Sequence, residues 1–177
     1  MPQRQQENPY LIEGEKLLES GDWEAAEQAF RKAVEADEKS PAAHSKMGVA
    51  LVHQRRLQEA EEEFARALTL DPRYAPAWSN LGNVYRESGR LEHALEAYKK
   101  AVDADPDYWI AHQNLGGLYK KMGRTSEAIA SLRRATKLSV RGALRPSAQE
   151  RRRPGCMGGA TAAAIALVIA ALYLLRG

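Results

Sequence analysis

The sequence predicts an all-α protein: an α-solenoid of four helix hairpins plus a single C-terminal transmembrane helix. Three observations predict it. First, residue columns return at a 34-residue step: Gly14, Gly48, Gly82 and Gly116; Leu17, Leu51, Tyr85 and Tyr119; Ala26, Ala60, Ala94 and Ala128; Phe30, Phe64, Tyr98 and Leu132; Ala33, Ala67, Ala101 and Ala135. A period of this size belongs to stacked supersecondary units rather than to one globular core. Second, each period holds two helical apolar patterns separated by a turn signal. Third, the twenty residues from Cys156 to Leu175 carry no charge, enough for a helix to cross a bilayer core of about 30 Å.

Residues 1–6 are polar, are expected to be disordered, and have no apolar run behind their charge, so they do not read as a secretory signal. The repeats are then placed at 7–40, 41–74, 75–108 and 109–142, with the repeat domain ending near 140. The third unit shows the logic most fully. Its first helix carries Trp78, Leu81, Gly82 and Tyr85 at helical spacing, and Gly89 stands where that helix should stop. Its second helix carries Leu91, Ala94, Leu95, Tyr98, Ala101 and Val102. Asp105-Pro106 ends it, because proline disfavours helix for the residue before it. Gly82 is expected to let Ala94 and Ala101 approach closely while Tyr98 and Trp78 fill the wider gaps. The fourth unit reads as an end cap: Thr125 stands where Trp23, Leu57 and Leu91 stand, and Thr136 where Val34, Leu68 and Val102 stand. Terminal repeats turn polar because nothing packs on their outer side. Residues 141–155, interrupted by Pro146 and Pro154, read as a basic linker.

Charge follows this organisation. The chain carries +3 overall, yet residues 139–158 alone hold five arginines against Glu150. The basic balance lies in a short segment rather than as a stripe on the folded domain, which argues against a nucleic-acid partner. Cys156 is the single cysteine, so neither an intramolecular disulfide nor a thiolate metal cage is expected.

The third unit's W-x-x-L-G-x-x-Y run, followed by Ala94, Tyr98, Ala101 and Pro106, resembles a tetratricopeptide repeat with every signature position filled. The second unit departs mildly, with His44, Met47 and Leu51 at the tryptophan, leucine and tyrosine places. The fourth keeps Leu115, Gly116, Tyr119, Gly123, Ala128 and Ala135, and the first keeps Gly14, Gly21, Ala26, Phe30 and Ala33, with Tyr10 in the aromatic place. The resemblance covers about three quarters of the chain. It implies a right-handed solenoid whose first helices line a concave groove that binds peptide segments of other proteins. Carried over by register, the lining candidates are Leu11, Ile12, Glu15 and Glu19; then Ser45, Lys46, Val49 and His53; then Ser79, Asn80, Asn83, Arg86 and Glu87; then Gln113, Asn114, Lys120 and Lys121. Asn80 and Asn114 share one column, and an asparagine can offer donor and acceptor to a peptide backbone, so they read as a two-rung ladder. Arg86, Lys120 and Lys121 make one end of the groove basic, which suits a peptide acidic toward that end. The residues that capture a chaperone's terminal carboxylate are absent from their places, filled here by Ser79, Ile110 and Asn114.

No catalytic residues, no cofactor and no metal are expected. The four histidines fall in different repeats, with His44 and His112 in the packing column of Trp78. No HExxH, phosphate-binding loop or nucleophile elbow occurs, and the carboxylates read as solvated faces among lysines and arginines.

The uncharged run, flanked by Arg151–Arg153 before and Arg176 after, reads as a tail anchor contacting membrane lipid through residues 156–175. The positive-inside rule places the repeat domain in the cytoplasm, at a bacterial inner membrane, or at a mitochondrial outer or endoplasmic-reticulum membrane in a eukaryote. Ala162, Ala166 and Ala170 form a small-residue row through which two spans could pair into a homo-oligomer. The expectation is a non-enzymatic, membrane-tethered adaptor holding an extended or helical peptide of a partner. The alternative is an oligomeric structural or accessory subunit of a membrane complex in transport, secretion or envelope assembly.

Overall fold

A computed structural model describes residues 8–144. Eight α-helices follow one another: α1 Pro9–Ser20, α2 Trp23–Ala36, α3 Pro41–His53, α4 Leu57–Leu70, α5 Ala75–Glu87, α6 Leu91–Ala104, α7 Trp109–Lys121 and α8 Thr125–Ala143. No strand occurs among the described residues. The expectations for residues 1–6, for the linker up to 155, and for the span at 156–175 with Cys156 lie outside the described residues. Within them, no helix is long and apolar enough to cross a membrane.

Local chemistry sets the helix boundaries. Asn8, Asp22 and Ser40 cap α1, α2 and α3 by accepting a backbone N–H of the first turn. Inside each hairpin one turn column takes positive φ: Gly21 at 82°, Gly89 at 75°, Gly123 at 74° and, at the same place in the second unit, Arg55 at 64°. Between hairpins, Asp37, Asp71 and Asp105 accept the backbone N–H two residues on, at 3.1, 2.9 and 2.9 Å. These Asx turns stop α2, α4 and α6. Ser139 stands in that column in the fourth unit, and there the stop is missing. Helix α8 therefore runs on to Ala143, so residues 141–143, expected in the linker, form its last turn. The compact unit built by the stack ends at Val140.

The core repeats with the sequence. Phe30, Phe64 and Tyr98 are fully buried, and each lies over the glycine of its own first helix. A β-carbon at Gly82 would come within 2.5 Å of the Tyr98 ring, and one at Gly48 within 2.7 Å of Phe64. The glycine column thus answers to the aromatic column, not to the alanines expected to face it. The roof over each ring comes from the next hairpin: Ala77, Leu81 and Val84 over Phe64, and Leu115 and Leu118 over Tyr98. Consecutive first helices touch one another, α1 with α3, α3 with α5 and α5 with α7, whereas α2 and α4, or α4 and α6, do not. The first helices form the tighter, inner layer, so the stack curves around them.

The end-cap expectation is corrected. Thr125 and Thr136 are exposed as expected, but Ile129, Leu132 and Val140 on the same helix are 46%, 39% and 43% exposed. Charged residues enter the roofing columns at the other end, on α1, where Glu13 and Lys16 stand in the columns of Leu81 and Val84, beside exposed Tyr10 and Ile12. Two carboxylates are also not on solvated faces. Glu27 and Glu63 are buried, Glu27 between Arg31, Gln54 and Arg56, and Glu63 between His44 and Arg66.

Candidate functional site

Helices α3 and α5 meet on the inner layer around a cavity of about 250 Å³. Val49, Val52 and His53 come from α3, Asn80, Asn83, Arg86 and Glu87 from α5, and the Phe64 ring also lines it. Six of the expected groove residues, Val49, His53, Asn80, Asn83, Arg86 and Glu87, are thus brought together. The arrangement is an apolar floor with amide, guanidinium and carboxylate groups at one wall, the Glu87 carboxylate lying 3.5 Å from Arg55. It suits a peptide: apolar side chains go down and backbone groups go to the amides.

Asn83 is held from beneath. The Tyr98 hydroxyl, buried in the core, donates to Asn83 Oδ1 at 2.7 Å. Burial pushes that hydroxyl up to about 12, so it remains a donor at any physiological pH. With Oδ1 engaged, the amide NH2 is the half left to donate toward a ligand. This link exists in the third unit alone, because the columns of Tyr98 and Asn83 hold Phe64 and Val49 in the second unit and Leu132 and Gly117 in the fourth.

Other expected residues are placed differently. Ser45 and Ser79 are buried rather than groove-lining. Their columns face the neighbouring first helix, where a small hydroxyl permits close approach. Asn114 Nδ2 donates to Ser79 Oγ at 3.0 Å, so the second rung of the asparagine ladder is engaged within the protein. Lys46 pairs with Glu15 at 2.8 Å across α1 and α3, neutralising that end of the groove. Gln113, Lys120 and Lys121 are exposed on α7, outside the cavity. His53 stacks on Trp23 with ring centroids 4.0 Å apart, which fixes the wall it makes. Sequence reasoning missed Val52, Phe64 and the Tyr98–Asn83 bond; a tyrosine entering a phenylalanine column opposite a polar residue was the available signal for the last.

The packing column behaves as its periodicity implies. Trp78 Nε1 donates to the Pro72 carbonyl at 2.9 Å, and His112 Nε2 lies 3.0 Å from the Pro106 carbonyl, each six residues back. Among the described residues no group of three or more His, Cys, Asp or Glu could hold a metal ion.

Comparisons with known proteins agree with this architecture. Models described as Tetratricopeptide repeat match residues 13–75, 63–96 and 111–139, and one described as TPR repeat matches 82–123. Together they run through all four hairpins and support the tetratricopeptide-repeat family for this chain. No curated protein matches the sequence. Among solved structures, the crystal structure of MamA is similar at 29% identity and a TM-score of 0.63, with 76% of this chain and 78% of that chain covered. TTC0263, a thermophilic TPR protein of Thermus thermophilus, is similar at 26% identity and a TM-score of 0.67, with 73% of each chain covered. The first TPR of Spaghetti (RPAP3), bound to the HSP90 peptide SRMEEVD, shares the fold at 21% identity and a TM-score of 0.59, covering 64% of this chain and 90% of that one.

Proposed function

We propose that this protein is a membrane-tethered adaptor whose inner groove holds a peptide segment of a partner protein on the cytoplasmic side of the membrane. The observation that carries the groove is the α3–α5 cavity with Asn83 oriented by Tyr98. Two amides and Arg86 at one wall favour a segment with exposed backbone carbonyls and an acidic residue near Arg86. The tether is supported by the uncharged run 156–175 flanked by arginines. Holding a partner at the membrane raises its effective concentration there without any new contact.

The test is quantitative affinity purification from membranes with mass spectrometry. Combined Asn80→Ala, Asn83→Ala and Arg86→Ala should deplete the specific partners by about tenfold or more, while Gln113→Ala leaves them unchanged. A partner set indifferent to the triple change rules out the groove. Full-length chain left in the supernatant after ultracentrifugation of detergent-free lysate rules out the tether.

A further inference from the structure

The C-terminal face of the stack is shaped for one more helix. In each of the first three units the buried ring of the second helix is roofed by the first helix of the next unit. The roofing residues recur: Ala43, Ala77 and Ala111; four residues on, Met47, Leu81 and Leu115; three further, Ala50, Val84 and Leu118. Leu132 stands in the column of Phe30, Phe64 and Tyr98, seated on Gly116, yet it is 39% exposed, with Ile129 one turn before it and Val140 two turns on along the same face of α8, Thr136 between them. None of the described residues provides its roof.

We propose that this face docks an amphipathic helix of another protein, carrying a small residue, an apolar residue four positions on and another three further, with acidic flanks. Three internal interfaces supply the apolar part of that description. Charge supplies the rest: Arg133 lies one turn beyond Ile129 and Lys137 one turn before Val140, so cations border the apolar strip. A second copy fits poorly. Its own α8 would bring like charges together, and its α1 presents Pro9, Glu13 and Lys16 at the three roofing positions. This site is separate from the groove and stands without it.

The probe is a fluorescein-labelled, stapled peptide copying residues 75–87 of this chain with Arg86→Glu, titrated by fluorescence anisotropy against the full chain in mild detergent. Saturable binding is expected. Leu132→Asp and Ile129→Glu, each checked for unchanged helicity by circular dichroism, should weaken it by about tenfold or more. Asn80→Ala with Asn83→Ala should leave it within about twofold. A peptide carrying Leu81→Lys should not bind. Absence of saturable binding, or affinity unchanged in both α8 variants, overturns the proposal. So does binding seen only after removal of residues 145–177, which would make the chain's own tail the occupant. A wild-type dimer that Leu132→Asp converts to monomer would make the occupant a second copy and overturns it equally.

Discussion

At the N-terminal end of the stack, α1 turns Glu13 and Lys16 outward in columns that are apolar in every later unit. At the C-terminal end, α8 leaves Ile129, Leu132 and Val140 substantially exposed. A second column changes in the same direction. Glu27 and Glu61 bridge to Arg56 and Arg90 of the following hairpin, both at 2.6 Å, while the third and fourth units hold Leu95 and Ile129 at that place. Along one repeating scaffold, then, polar pairing gives way to apolar surface. The contrast lies in the roofing columns, charged on α1 and apolar later, although α1 also exposes Tyr10 and Ile12. The repeat itself does not dictate it; single substitutions in otherwise periodic columns do.

The sharpest way to break this contrast is to cut the same column at both ends. Phe30→Ala removes a fully buried ring roofed by α3 and should lower stability by about 3–5 kcal/mol. Leu132→Ala removes a side chain already partly in water and should lower it by less than about 2 kcal/mol. Chemical denaturation of both variants checks this. Equal losses would mean that Leu132 is roofed after all.

A smaller effect separates the ends by pH. Burial alone would raise the Glu27 carboxyl, but hydrogen bonds from Gln54, Arg31 and Arg56 and the Arg56 charge outweigh it and hold the group below the ordinary value of 4.5. A carboxyl lowered in the folded state contributes stability that is complete above that ordinary value and is lost as pH falls beneath it. Thermal midpoints should therefore drop as pH is lowered below about 4.5, and Glu27→Gln should flatten that drop. Ile129→Glu, in the same column but with only the exposed Arg133 one turn on and no arginine of a following hairpin among the described residues, should confer a much smaller dependence. An identical acid profile in wild type and Glu27→Gln would remove the ion cluster from the account.

Among the described residues, nearly all of the repeat architecture was legible in the sequence, because a 34-residue period constrains every column four times over. What it concealed is what happens once. The Tyr98–Asn83 bond needs two departures from the repeat in one unit, and neither departure has meaning alone. Ser79 and Asn114 shared the groove columns by register, yet a short hydroxyl facing a neighbouring helix draws the amide inward, which spacing cannot show. Two threonines made α8 look like a finished cap; the apolar residues Ile129, Leu132 and Val140 around them share its surface, and only their exposure reveals that.

The mildest test works inside the stack, at the turn column between helices of a hairpin. Arg55 holds φ at 64° where Gly21, Gly89 and Gly123 hold comparable angles. A side chain in that left-handed region costs roughly 1–2 kcal/mol, while glycine adopts it freely and gives back part of the gain through its more flexible unfolded chain. The Arg55–Glu87 contact of 3.5 Å is exposed and contributes little against this. Arg55→Gly should therefore stabilise by somewhat under about 1 kcal/mol, and the reverse change, Gly89→Arg, should destabilise by at least as much. For a chain of this size that is a thermal shift of roughly 2–4 °C per kcal/mol, in opposite directions for the two variants. If Arg55→Gly lowered the midpoint instead, the ion pair to Glu87 would outweigh backbone strain, and the joint between the second and third hairpins would be held by charge after all, like the Glu27–Arg56 and Glu61–Arg90 bridges.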